Sequence, residues 1–259
     1  MLILIAESKT MVTTENPVSD AEFAAHMPAC EKEADAIIES LRSLDVAELS
    51  SQLKLSGSLA VKMQKMIYEF GNKNLGLTAI NAFTGVVFKA LDFATLTEDA
   101  RQRSLSDVGI ISSLYGWLRP ADIIKPYRLD FTSPVDIDGK TVSLFSFWRK
   151  HVTMKLVKTL QETDCHEILN LMPGDAAKCI DWKLVKRFAK VWKADFVQLL
   201  DGGERKTPNA GRLKTLRGYL LRQILQENIN LVGDLQHVVS DHYLFEGTPV
   251  YPDHLQFLC

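Results

Sequence analysis

The sequence lacks the features that mark secreted and membrane proteins. It has only four cysteines in 259 residues, and no two of them form a C-x-x-C pair. Free thiols of this kind are typical of a reducing compartment, so we expect no disulfides and a cytoplasmic location. No apolar run approaches the length of a membrane span. Glu7 and Lys9 interrupt the first apolar segment too early for a signal peptide, and we therefore predict no membrane partner.

Motifs for common cofactors and metals are missing as well. The chain contains no P-loop, no G-x-G-x-x-G and no H-E-x-x-H, and its six histidines are scattered. We therefore predict neither a cofactor nor a metal site. The net charge of −2 is not that of a protein that binds nucleic acid over its whole surface. Any such binding must use a local basic patch.

Strand and helix patterns alternate along the chain. Apolar, β-branched runs predict buried strands at 2–5, 108–111, 168–171 and 196–200. Helical spacing predicts helices that reach Leu160, span about 181–189 and span about 212–228, and Asp138-Gly139 predicts a β-hairpin. We predict an α/β or α+β fold with a central mixed sheet flanked by helices. No linker separates two halves, so residues 1–259 are expected to form one compact domain.

An early helical region, about residues 30–71, resembles a helix–hairpin–helix. Asp45 followed by Glu48 predicts a capping box, and Leu55-Ser56-Gly57-Ser58 predicts a tight turn before the next helix. In such an element the N–H groups of the turn face a DNA phosphate and lysines add charge. The candidate contacts are Lys54, Gly57, Lys62 and Lys65. An ordinary pair of helices is the alternative, because only one glycine lies in the turn.

The segment from Val108 to Asp130 carries the densest set of chemical groups. A buried strand is followed by a turn at Gly116, and Pro120 and Pro126 predict the start and the end of a short helix. Charged residues recur there at every third position: Arg119, Asp122, Lys125 and Arg128. A charged loop after a buried strand favours a binding site, and a solvated turn with a surface ion pair is the alternative.

The helix at about 212–228 places an arginine among apolar residues. Arg217 lies only about 40° around the helix from Leu213, inside the apolar stripe. A buried arginine requires a carboxylate or another anion. Three explanations stay open: an ion pair with Asp122 or Asp130, a side chain that reaches the surface, and a phosphate or ligand site.

Cations recur at the ends of predicted elements, next to small or aromatic residues. If the strands that end at Ile5, Ile111 and Leu171 share one sheet, these cations can converge on a single anion-binding cleft. The candidate anion-binding residues, besides those of the helix–hairpin–helix, are Lys9, Thr10, Arg119, Arg128, Lys178, Lys214 and Arg217.

Several stretches together resemble one known family, the peroxide-stress protein YaaA. LYGWLRPADIIKPYRL (114–129) is similar to its signature LYGxLRPxDxxxPYRL, and the start MLILIAESKT is similar to MLILxSPAKT. AINAFTGVVFKAL (79–91), SLFSFWRKHVT (143–153) and KTLRGYLLR (214–222) are similar to further family motifs. The chain departs from the pattern at Ala6-Glu7-Ser8, at 173–176, and at Val86, Phe88 and Ala90. It is identified as a divergent, full-length member.

The resemblance implies a non-enzymatic protein that binds double-stranded DNA in a basic cleft and protects it from oxidative damage and excess free iron. The alternative is an enzyme that acts on a nucleotide- or nucleobase-like anion, with Lys9, Asp122 and Asn170 as catalytic candidates. A degenerate copy that keeps only the fold is a third possibility. We expect a monomer, and the sequence favours the non-enzymatic function.

Overall fold

The computed structural model of the protein describes residues 1–13, 26–72, 76–246 and 252–259. Short strands alternate with helices along most of this length. The strands are β1 (Leu2–Ala6), β2 (Leu77–Thr78), β3 (Val108–Ser112), β4 (Gly116–Leu118), β5 (Ile123–Ile124), β6 (Pro134–Ile137), β7 (Lys140–Ser143), β8 (Glu167–Asn170), β9 (Lys190–Leu199), β10 (Arg205–Lys206), β11 (Leu244–Phe245) and β12 (His254–Leu258).

The helices surround the largest sheet and form the early helical region. They are α1 (Glu31–Arg42), α2 (Val46–Leu53), α3 (Gly57–Glu69), α4 (Ala79–Ala82), α5 (Val86–Leu91), α6 (Glu98–Asp107), α7 (Leu144–Glu162), α8 (Gly174–Ala177), α9 (Trp182–Val185) and α10 (Ala210–Gln226). Two 3₁₀ helices span Phe93–Thr95 and Val232–His237.

The central sheet has eight strands, in the order β11-β12-β9-β8-β1-β3-β4, with β10 paired to β9. Strand β1 runs parallel to both β3 and β8, whereas β4 runs antiparallel to β3. All five residues of β1 are buried, as expected for a parallel strand with both faces covered. The predicted fold, a mixed sheet flanked by helices, is confirmed.

Helix α10 packs directly on α5, and a glycine makes this close approach possible. A Cβ atom at Gly218 would lie 2.4 Å from the carbonyl oxygen of Val87 and 2.6 Å from the Cβ of Ala90. A second glycine, Gly85, lets the start of α5 approach the loop after β1, since a Cβ there would lie 2.1 Å from Ser8 Oγ. Both glycines therefore fix helix positions around the end of the central strand.

The region from Cys30 to Phe70 folds as helices α1, α2 and α3, as the apolar spacing predicts. The capping box is present, because Glu48 N donates to Asp45 Oδ1 and Asp45 N donates to Glu48 Oε2, both at 2.8 Å. Helix α2 ends at Leu53, its C-cap Lys54 has a left-handed φ of 53°, and α3 begins at Gly57. The connection is thus a three-residue turn. Its similarity to a helix–hairpin–helix stays a prediction.

The short helix predicted between Pro120 and Pro126 is not formed, and this prediction was wrong. Gly116, with a φ of 66°, turns the chain back so that β4 pairs antiparallel with β3. The two isoleucines of β5 then pair with β2. β-Branched residues favour strands, and the position before Pro126 disfavours helical backbone, so the local preferences oppose a helix here.

Two further elements differ from the sequence prediction. Strand β9 begins at Lys190, and α9 covers only Trp182–Val185 of the helix predicted at 181–189. The C-terminal residues His254–Leu258 form β12, which pairs parallel with β9 and for which no strand had been predicted. The polar residues 11–27, broken by Pro17 and Pro28, predict a loop or a weak helix, and most of them lie outside the described residues. The hairpin at Asp138-Gly139 is confirmed as β6–β7.

Candidate functional site

Three parallel strands end side by side at one edge of the sheet. Strand β1 pairs with β3 on one side and β8 on the other, so Glu7, Ser113 and Leu171 follow neighbouring strand ends. In chain order, the sheet thus extends from β1 to β3 on one side and later to β8 on the other side. In open α/β sheets, ligands bind in the crevice beyond the carboxyl ends of strands at such a switch point.

Lys9 lies just beyond this strand end and is tied to the segment before β6. Its ammonium group forms an ion pair with Asp130 Oδ2, and Arg128 Nη1 donates a hydrogen bond to the Lys9 carbonyl. Partial burial raises the pKa of Asp130, but hydrogen bonds from Lys9 and Thr132 outweigh burial and hold it below its usual value. Lys9 and Arg128 are therefore brought together, as the sequence predicts.

These residues line an open cleft of about 220 Å³ between the turn that follows α2 and the segment before β6. We call it the Lys9 cleft and define it by Lys9, Lys54, Arg128, Asp130, Thr132 and Ser133. Three cations and one carboxylate thus face the same space. Such an excess of positive charge in a concave site attracts anions.

The α2–α3 turn beside the cleft is open to solvent. Lys54, Ser56 and Gly57 are exposed, and nothing lies within 4 Å of the position that a Gly57 Cβ would take. The Ser56 side chain does not cap α3, so among the described residues the first N–H groups of this 13-residue helix have no capping side chain. Lys62 and Lys65 lie on the exposed face of α3, and Lys65 Nζ is 3.6 Å from Glu69.

A carboxylate that sequence reasoning missed lies at the centre of the strand ends. Glu7 accepts hydrogen bonds from the Ser113 backbone N–H at 2.7 Å, from Ser113 Oγ at 2.6 Å and from the Tyr127 hydroxyl. The Tyr127 hydroxyl is also 2.8 Å from Ser112 Oγ. We call Glu7, Ser112, Ser113 and Tyr127 the Glu7 cluster. The departure from the family motif at Glu7 was the only sequence signal for it.

Burial dominates the electrostatics of the Glu7 cluster. It raises the pKa of Glu7 to about 7, although the hydrogen bonds from Ser113 and Tyr127 oppose the rise. Burial, together with the Glu7 charge, raises the pKa of Tyr127 well above its usual value. Burial and the same charge also raise the pKa of Cys179 to about 12. Glu7 therefore changes its charge near neutral pH, whereas Tyr127 and Cys179 stay protonated.

Arg119 and Asp122 do not join the Lys9 cleft. Because β4 runs antiparallel to β3, with Leu118 opposite Ile110, Arg119 lies level with the first half of β3. Asp122 is only 4% exposed and accepts a hydrogen bond from the Arg119 backbone N–H at 2.8 Å. Burial raises the pKa of Asp122 to about 6, although His26 and Arg119 oppose the rise.

The remaining candidates lie at several places. Lys178 is exposed, pairs with Asp175 at 3.3 Å and lies 5.6 Å from the ring centre of Phe145. Asn170 is the last residue of β8, and its Oδ1 accepts the Met172 N–H at 3.0 Å. Thr10 is exposed, with its hydroxyl 3.0 Å from Ser8 Oγ.

On α10, Lys214 is exposed and Arg217 is partly buried. The Nε of Arg217 is buried and, among the described residues, has no hydrogen-bond acceptor. Burial lowers the pKa of Arg217, whereas the nearby charge of Asp195 raises it. The ion pair with Asp122 or Asp130 that the sequence suggested is absent, since Asp130 pairs with Lys9 and Asp122 is beside Arg119. The six cations at element ends are therefore not gathered in one cleft.

Two general properties bear on the kind of site. Within the described ranges, no three His, Cys, Asp or Glu side chains form a group that could hold a metal ion. In the same ranges, no helix has both the length and the apolar content required to cross a membrane.

Comparison with known proteins identifies the family. A family model described as peroxide stress protein YaaA matches residues 1–248. A UPF0246 protein of Parabacteroides distasonis is 30% identical over 231 residues, 89% of this chain and 88% of the relative. A UPF0246 protein of Desulforapulum autotrophicum is 30% identical over 251 residues, 95% of each chain. One from Aliivibrio fischeri is 27% identical over 253 residues, 95% of this chain and 93% of its own. The chain therefore belongs to the family of the peroxide stress protein YaaA.

Proposed function

We propose that this protein binds the phosphate backbone of double-stranded DNA in a peroxide stress response, without sequence preference and without catalysing a reaction. The observation that carries the proposal is the meeting of Lys9, Arg128 and Lys54 in one cleft beside the exposed α2–α3 turn. Lysine and arginine bind phosphates through charge-assisted hydrogen bonds. The uncapped N-terminus of α3 adds N–H donors on the same side.

In this proposal the phosphates contact the Lys9 cleft and the turn, and Gly57 lets the backbone approach without a side chain in between. Lys62 and Lys65 add longer-range attraction from the exposed face of α3. Bound protein shields DNA from oxidants, including those that excess free iron generates. We further propose a cytoplasmic location, where DNA is present, and a monomer in solution.

A salt titration tests the proposal. Fluorescence anisotropy with a labelled duplex, followed between about 50 and 200 mM salt, should give a linear fall of log affinity with log salt concentration. Lys9→Ala combined with Lys54→Gly should make the slope shallower by about 1.8, because two phosphate contacts are lost. Lys193→Ala combined with Lys206→Ala removes two exposed lysines from β9 and β10 and should leave it unchanged. The absence of binding at the lowest salt concentration would overturn the proposal.

Protection is measured separately. Plasmid DNA treated with ferrous iron and hydrogen peroxide is nicked, and a gel follows the loss of the supercoiled form. The native protein should slow nicking, and the Lys9→Ala/Lys54→Gly variant should protect less at equal concentration. Equal protection by both proteins would show that DNA binding in the cleft is not the means of protection.

A second candidate function rests on the Glu7 cluster. A carboxylate with a pKa of about 7 at a sheet switch point suits general acid–base chemistry on a nucleotide- or nucleobase-like anion. Of the predicted catalytic residues, Lys9 follows the end of β1 and Asn170 is the last residue of β8, whereas Asp122 is located with Arg119. A thermal-shift screen with nucleotides, nucleosides and duplex DNA distinguishes this enzyme from the DNA-binding protein. Stabilisation by a nucleotide with none by duplex DNA would favour the enzyme, and the reverse would exclude it.

A further inference from the structure

A second basic groove lies on the exposed face of α7. Its volume is about 370 Å³, and it is lined by Ser146, Arg149, Lys150, Met154 and Asp181, among others. Arg149 and Lys150 are exposed, and Met154 is 54% exposed. We call this surface the α7 groove.

The charges of the α7 groove are available to a ligand. Neither Arg149 nor Lys150 forms an ion pair with any described residue, unlike His151 and Lys158 of the same helix, which pair with Glu33 and Glu162. The groove also contains Asp181. The Asp181 carboxylate is already engaged, because its Oδ1 accepts the N–H groups of Lys183 at 3.1 Å and Leu184 at 3.3 Å. The groove therefore offers two unpaired cations beside a carboxylate that caps a helix.

Helix α7, which carries the α7 groove, begins beside the segment that lines the Lys9 cleft. The first residues of α7 are hydrogen-bonded to the segment that lines the cleft, since Leu144 N donates to Ser133 O at 3.0 Å and Phe145 N donates to Phe131 O at 2.8 Å. Arg149 is four residues beyond Phe145, about 6 Å along the helix axis. Lys178, whose ammonium lies 5.6 Å from the Phe145 ring centre, stands beside this path.

We propose that Arg149 and Lys150 bind a second stretch of the same DNA backbone that occupies the Lys9 cleft. This inference rests on the proposed function. Phosphates follow one another every 3.4 Å along each strand of the duplex, so a few nucleotides cover the path between the two surfaces. Arg149 supplies a planar fork for two phosphate oxygens and Lys150 a point charge. The exposed Met154 side chain provides an apolar surface for a sugar.

Four double variants test the inference by the same salt titration. Arg149→Ala/Lys150→Ala removes the α7 cations, Lys9→Ala/Lys54→Gly removes cleft cations, and Lys193→Ala/Lys206→Ala is a control with the same loss of charge. In the α7 variant, the slope of log affinity against log salt should be shallower by about 1.8. Arg149→Lys/Lys150→Arg keeps both charges and should keep the native slope. Thermal melts verify that each variant is folded.

The outcomes separate this inference from the proposed function. If the native protein does not bind duplex DNA, both fail. If the salt dependence of affinity becomes shallower in the cleft variant but not in the α7 variant or the control, the proposed DNA binding is supported and the α7 groove takes no part in it. If the salt dependence of affinity becomes shallower in both the α7 variant and the cleft variant but not in the control, the inference is supported.

Discussion

The carboxylate of Glu7 accepts a hydrogen bond from the hydroxyl of Tyr127, 120 residues later in the chain. This contact joins the end of the central strand to the segment that carries Arg128 and Asp130. It is partly buried, and its carboxyl group has a pKa of about 7. The Glu7 cluster therefore links the position of the cleft residues to the protonation of one group.

Glu7→Gln should remove a pH dependence of stability. The pKa of Glu7 is about 7 in the folded protein, whereas a solvated glutamate, as in the unfolded chain, has a pKa of 4.5. The folded state therefore binds the proton more tightly. The free energy of unfolding contributed by Glu7 is then greatest below pH 4.5 and falls, by up to about 3 kcal/mol, as the pH rises to 7. Glutamine keeps the contacts, since its oxygen accepts from Tyr127 and its amide donates to Ser113 Oγ.

Urea unfolding at several pH values measures this effect. The variant should be more stable than the native protein at pH 8 and should lose this advantage at acid pH. Asp122→Asn is the companion variant, because burial raises the pKa of Asp122 to about 6 and places its contribution at lower pH. Parallel stability curves for native protein and Glu7→Gln would contradict the raised pKa.

Lys54→Gly should separate stability from DNA binding. Lys54 has a left-handed backbone, with a φ of 53°, which glycine adopts without the Cβ clash. We expect the free energy of unfolding of the variant in urea to rise by about 1 kcal/mol. We also expect it to bind duplex DNA more weakly, with a slope of log affinity against log salt that is shallower by about 0.9. Lys62→Gly is a matched control, because its helical position should lose about 1 kcal/mol. Unchanged DNA affinity in Lys54→Gly would remove the turn from the interface.

Asp130→Asn should strengthen DNA binding. Asp130 pairs with the ammonium group of Lys9, and a phosphate must compete with it. Asparagine still accepts the Thr132 hydrogen bonds through its oxygen, but it releases Lys9 and removes a negative charge from the cleft. We expect about fivefold higher affinity, equivalent to ~1 kcal/mol, in the anisotropy assay. Asp136→Asn, on the exposed part of β6, is the control; equal gains in both variants would indicate a general charge effect.

Gly218→Ala should destabilise the protein although the site is helical. Alanine in a helix interior is normally about 1 kcal/mol better than glycine. Here the new Cβ would lie 2.4 Å from the Val87 carbonyl oxygen, so α10 must move away from α5. We expect a loss of about 1–3 kcal/mol in the free energy of unfolding. Gly57→Ala, with open space around its Cβ position, should be neutral or slightly stabilising, and equal effects at both sites would refute the close packing.

Local sequence patterns predicted the elements that depend on neighbouring residues. Asp45 and Glu48 form the predicted capping box because both partners are within one helical turn. The Asp138-Gly139 turn closes its hairpin for the same reason. The buried strands near Ile3, Ile110 and Leu169 are apolar on both faces, and this pattern is typical of parallel strands that are covered on both sides of the sheet.

Predictions that required knowledge of distant partners were less successful. The antiparallel return of β4 carries Arg119 away from the strand ends, and only the pairing with β3 reveals this. The predicted acidic partners of Arg217 are engaged elsewhere, whereas Asp195 of β9 lies near it. From sequence alone Glu7 only interrupts an apolar run, because the donors that surround it come from Ser113 and Tyr127. A single sequence does not display such long-range contacts.

The position of β1 in the sheet has a consequence for synthesis on the ribosome. Ile3 pairs opposite Val108, and Leu2 pairs opposite Ile168, so β1 is synthesised long before either of its neighbouring strands. At typical translation speeds the wait for β3 lasts roughly 5 to 20 s. Throughout it, the apolar segment Leu2–Ala6 exposes unpaired backbone, which is the kind of segment that chaperones hold on a nascent chain. Strand β1, which is buried along its whole length in the folded protein, is thus exposed for a long time during synthesis.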